Sequence, residues 1–193
     1  AVKPWGTLIS KAFEGDQAPA QLSVAVVSLV ELCQVAMPDP GRLRSNILGA
    51  GFEIGPETRA NEVGRMLALD SKLVAEPVTN LKHELFGRGR EGEPVIFLLS
   101  TGDSAGGKIV FVSVVFRGAI EADAVKAAAH VTKKQPFGGG QTRNADGKVL
   151  RRVFWDTQDV AGIRGFVVSG PDNVEATNLP RAFIAFNKAA LPL

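Results

Sequence analysis

One cysteine and two histidines are the side chains of this sequence best suited to nucleophilic or metal chemistry. Cys33 beside a histidine base would make a thiol nucleophile. On a helical wheel, however, Cys33 lies nearly opposite the polar stripe of Gln21, Ser28, Glu31 and Gln34. A thiol on that apolar face has a raised pKa and is inert, so Cys33 is expected to be a small buried hydrophobe. A lone cysteine also forms no intrachain disulfide and no multi-cysteine zinc site. His83 stands beside Glu84, and His130 shares a helical face with Asp123, Lys126 and Lys133. Neither is at a diagnostic spacing from a second ligand, so no metal is expected. The carboxylate pairs Glu121/Asp123 and Asp156/Asp159 fit helix capping and turn formation. No catalytic constellation and no cofactor-binding residue is identified, and no cofactor is expected.

A basic group surrounds one stretch of chain: Lys133, Lys134, Arg143, Lys148, Arg151, Arg152 and Arg164, with Phe137 and Trp155 interleaved. Basic residues among aromatics can hold single-stranded nucleic acid or an anionic surface. Strand alternation sends Arg151 and Arg152 to opposite faces, and Asp146, Asp156 and Asp159 oppose the charge. A solvated, salt-bridged edge is the default reading. If the chain has a contact surface, the residues assigned to it are Arg143, Lys148, Arg151 and Trp155. The glycine run 138–140 follows a helix and precedes a strand, the reverse of a phosphate loop, and reads as a flexible connector within a long 135–147 loop.

Positioning these residues requires the following elements. Trp5, Leu8, Ile9, Ala12 and Phe13 form a short apolar cluster. Gln21 to Met37 has the periodicity of a mostly buried helix. Pro38-Asp39-Pro40 ends it and starts another, with Asp39 as N-cap and Pro40 in the first turn. Leu43, Ile47 and Leu48 form the buried face of this second helix. Glu57–Leu69 and Val78–Phe86 read as further helices, the second because Val78, Leu81 and Leu85 share a helical face. Gly64 weakens the first. Arg88 to Glu93 reads as a charged loop.

Pro94–Ser100 and Lys108–Arg117 read as a hairpin of apolar strands. Both faces of the second are apolar, the pattern of a central strand covered on both sides. Ile120–Lys134 is a helix whose acidic first turn and basic last turn suit its dipole. Strands follow at Lys148–Asp156, Ile163–Ser169 and Arg181–Asn187. The order is a mainly helical segment 1–92 followed by β-β-α-β-β-β over 93–193, within one domain. The expected class is α+β, with a mainly antiparallel sheet of about five strands. The helical N-terminal half should pack on one face of it.

Composition sets the outer bounds. The 193 residues are 45% hydrophobic and 22% charged, ordinary for a globular chain. A net charge of +2 demands no polyanionic partner, so nucleic acid is not expected. No transmembrane segment is read, because the apolar run Leu22–Met37 is short and contains Glu31. Opening at Ala1 fits cleavage after a small-residue junction as well as a missing initiator methionine.

Cys33, Pro38-Asp39-Pro40 and Leu48-Gly49-Ala50-Gly51-Phe52 resemble the opening of certain small exported bacterial proteins of uncharacterised function. The later order is similar too: a strand, a helix with small residues, a loop and a strand containing Trp155. Such proteins often carry a second cysteine on the central strand. Ile109–Phe116 has none, which excludes a disulfide by analogy. The resemblance implies export to the periplasm or beyond, with the cytoplasm as the alternative. The leading expectation is a non-catalytic binding or interaction domain of the bacterial envelope, its partner a protein or a small molecule. The alternatives are an enzyme of unidentified class, or an anion or nucleic-acid binder using the basic flank of 135–147.

Overall fold

A computed structural model describes residues 20–87, 96–160 and 162–190. The apolar cluster at 5–13 and the charged loop at 88–93 lie outside them. Helix α1 (Ala20–Ala36) is valine-rich, yet Ala25, Val26, Leu29 and Cys33 have no exposed surface. Burial of that face outweighs the small helical penalty of β-branched residues. Asp39 caps α2 (Pro40–Gly49), accepting from the backbone N–H of Gly41 at 2.9 Å and of Arg42 at 3.2 Å. The cap satisfies two of the amides that a helix start leaves without partners.

Eight strands form one sheet in the order β1-β2-β3-β4-β8-β7-β6-β5, every neighbouring pair antiparallel. They are β1 (Glu53–Ile54), β2 (Thr79–Gly87), β3 (Ile96–Ser104), β4 (Gly107–Phe116), β5 (Gly138–Arg143), β6 (Val149–Val160), β7 (Ile163–Pro171) and β8 (Arg181–Ala190). The sheet is two meanders joined where β4 meets β8. On one face α1, α2 and α5 (Glu121–Thr132) share a core with Phe97, Val110, Val112, Phe166 and Phe183. On the other, α3 (Glu57–Leu67) and α4 (Ser71–Val74) cover Leu98, Phe111, Val167 and Ile184. β4 is buried on both faces, as its two apolar sides require.

This architecture corrects the expected fold. The sheet has eight strands rather than about five, and the helices of the N-terminal half divide between its two faces. Val78–Phe86 is not a helix, because Thr79–Gly87 is strand β2. The reason lies in an irregularity between Thr79 and Lys82, where Asn80 takes a left-handed φ of 54°. The extra residue shifts the strand's phase, so Val78 and Leu81, three apart, both crowd over Gly102. A bulged strand thereby imitates helical spacing. The 135–147 stretch is not one long loop, since Gly138–Arg143 is edge strand β5, paired with β6. Its ladder is made by backbone groups alone, so glycines serve without leaving an alternating pattern.

Candidate ligand-binding site

The residues assigned to a contact surface sit in different surroundings. Arg143 is exposed and donates from Nη1 to the Gly147 carbonyl at 2.9 Å, closing the β5–β6 hairpin. Lys148 is exposed on the same turn. Arg151 is clamped to Glu121 of α5 by two bonds, Nε to Oε2 at 3.0 Å and Nη2 to Oε1 at 3.2 Å. Trp155 is 1% exposed. Its indole N–H donates to the Lys134 carbonyl at 3.0 Å, and its ring meets Phe166 edge to face. Trp155 is thus a core residue, and it also borders the cleft described below. Arg152 lies on the opposite face, as alternation requires, and donates to the carbonyls of Leu67 and Ala68 at the end of α3. Of the basic group, Arg164 alone reaches the cleft described below.

Of the residues suited to nucleophilic or metal chemistry, only Cys33 is fully buried among the described residues. Cys33 is fully buried and burial pushes its thiol far above the ordinary value, so no reactive thiolate forms near neutral pH. His130 is exposed on α5. His83 Nδ1 lies 2.6 Å from Ser100 Oγ, a pairing that exists only because β2 and β3 are adjacent strands with His83 opposite Ser100. Ser100 has no exposed surface, so its hydroxyl orients the imidazole and meets no solute.

Two further short spacings in the sequence are those of known catalytic and nucleotide-binding motifs. Gly102-Asp103-Ser104-Ala105-Gly106 has the Gly-x-Ser-x-Gly spacing of a nucleophile elbow, which needs a strand, a strained serine and then a helix. Here it turns the β3–β4 hairpin, the positive φ belongs to Gly106, and Ser104 Oγ donates to the Gly107 carbonyl at 3.2 Å. The stretch 87–92 has G-x-G-x-x-G spacing. Its first glycine ends β2 and its residues 88–92 lie outside the described residues; the next described element, β3, pairs antiparallel with β2, where a dinucleotide fold needs a crossover helix.

A cleft of about 380 Å³ opens where α4 ends, on the face that α3 and α4 cover only in part. Leu73, Val74, Ala75 and Glu76 form one wall. Ile109, Phe154, Gly165 and Phe186 form the floor, and Phe137 stands at the far side. Gly165 sits opposite Phe186 across β7 and β8. A Cβ on Gly165 would lie 2.2 Å from the ring's Cζ, so only glycine lets the ring lie over the strand. Phe137 is 70% exposed, its ring centroid 6.1 Å from that of Phe154. The rim is charged: Lys188 Nζ is 3.3 Å from Glu76 Oε1, and Asp156 and Arg164 border the rest. Neither histidine and no cysteine lines it. The arrangement is an aromatic floor under a polar rim, suited to holding a small molecule by its apolar body.

Among the described residues, no group of three His, Cys, Asp or Glu is placed to hold a metal, and no helix is long and apolar enough to cross a membrane. In comparison with known proteins, the chain matches no family model, no curated protein and no solved structure.

Proposed function

We propose that this protein is a non-catalytic binding domain that holds a small, largely apolar molecule in the cleft between α4 and strands β6–β8. The observation that carries the reading is the exposure of Phe137 beside the partly open rings of Phe154 and Phe186 on a concave floor. Contiguous apolar surface of this kind on a folded chain marks a binding site. The volume falls at the lower end of the range for small-molecule pockets. The sealed state of Cys33 and Ser100 supports binding over catalysis. Placement in the bacterial envelope belongs to the same reading and is supported by the resemblance alone; fractionation of the source cells tests it.

Native mass spectrometry of the protein purified from its own source is the direct experiment. The expected result is a retained small molecule that organic solvent extracts and that is lost from the Phe137→Asp variant. Phe137 is on the surface, so that variant keeps its fold. A bare chain, together with no binding of decanol by wild-type protein, removes the reading.

A further inference from the structure

We infer that the ligand of this cleft is an apolar monocarboxylate, anchored by Arg164. The inference rests on the reading of the cleft as a ligand site and adds the chemistry of the ligand's head. Four charged side chains border the cleft, two of each sign: Glu76, Asp156, Arg164 and Lys188. Three of them are already satisfied. Lys188 Nζ lies 3.3 Å from Glu76 Oε1 and also donates to the Ala105 carbonyl, so that pair is neutral as a unit. Asp156 is engaged within the chain. Arg164 is exposed and makes no hydrogen bond or ion pair among the described residues. The cleft therefore presents one uncompensated positive charge above an aromatic floor.

A guanidinium offers a planar fork of donors that matches a carboxylate with two parallel bonds. One guanidinium balances the single charge of a carboxylate, whereas a phosphate monoester near neutral pH carries about 1.5 to 2 charges. The modest volume admits one aliphatic or aromatic body beneath that head.

The test is calorimetric titration of the full chain with decanoate and with decanol, which share a body and differ in the head. At low salt and about pH 7 the carboxylate is ionised, and the acid is expected to bind about tenfold more tightly than the alcohol. Added salt should shrink that ratio, because Arg164 is exposed. In Arg164→Gln the ratio of acid to alcohol binding should fall to about one. Arg143→Gln removes the same charge at the β5–β6 turn, outside the cleft, and should keep the ratio. Equal binding of acid and alcohol by wild type, or a ratio that survives Arg164→Gln, overturns the carboxylate assignment while the cleft itself stands. No binding of either probe overturns both readings.

Discussion

Gly64 shows how one residue can be misjudged without its surroundings. By propensity it weakens α3. In the fold, a Cβ there would lie 2.4 Å from His83 Nε2 and 2.6 Å from two ring carbons, so the glycine lets the helix settle on the imidazole. Gly64→Ala should therefore destabilise the protein by about 1–3 kcal/mol through overpacking, despite alanine's better propensity. The double variant Gly64→Ala/His83→Ala should lose less than the sum of its parts, which a denaturation double-mutant cycle reads directly. The same imidazole sets a pH dependence. Burial disfavours its charged form and lowers the His83 pKa below 6.5. The unfolded chain then takes up the proton first as pH falls. The stability that His83 contributes is complete above about pH 6.5 and is lost as pH drops through that value toward the folded pKa. Thermal melts from neutral to mildly acidic pH should show a steeper fall in Tm for wild type than for His83→Gln.

At the scale of elements, local signals were reliable where they satisfy backbone groups and weak where the chain departs from regular phase. The Asp39 cap was legible because its chemistry is confined to four consecutive residues. Asp39→Ala should cost about 1 kcal/mol and Asp39→Asn much less, since asparagine keeps the accepting oxygen; urea denaturation of the two variants checks this. Strand β2 was illegible because a bulge at Asn80 gave it the spacing of a helix. Strand β5 was illegible because three glycines carry no side-chain pattern, and its evidence of pairing lies in the register with β6.

At the scale of the whole molecule, two buried arginines tie distant segments together. Arg152, 3% exposed, holds the carbonyls of Leu67 and Ala68 and so fastens the end of α3 to the second meander. Arg181, 1% exposed, donates to the carbonyls of Ala119, Asn173, Val174 and Ala176, locking the β7–β8 connection under the start of α5. Arg152→Met should leave two carbonyls without their donor and cost about 2 kcal/mol. Hydrogen exchange should then rise at residues 64–70 while β4 and β8, at the centre of the sheet, stay protected. Equal protection of 64–70 in variant and wild type would show that Arg152 does not hold that end of the helix.

The sequence by itself determined the buried Cys33, the capped α2, the α5 helix and the apolar strands β3, β4, β7 and β8. In each, the deciding physics acts within a few residues: periodicity, capping and alternation. It also placed Arg151 and Arg152 on opposite faces. Only the tertiary structure decided that Trp155 is core rather than surface, because its burial depends on α5 and β7 arriving from elsewhere in the chain. The same holds for the cleft. Leu73, Phe137, Phe154 and Phe186 span more than half the sequence, and nothing in their local patterns marks them as neighbours. They become one surface because β4 pairs with β8, a contact between distant strands that local patterning cannot encode.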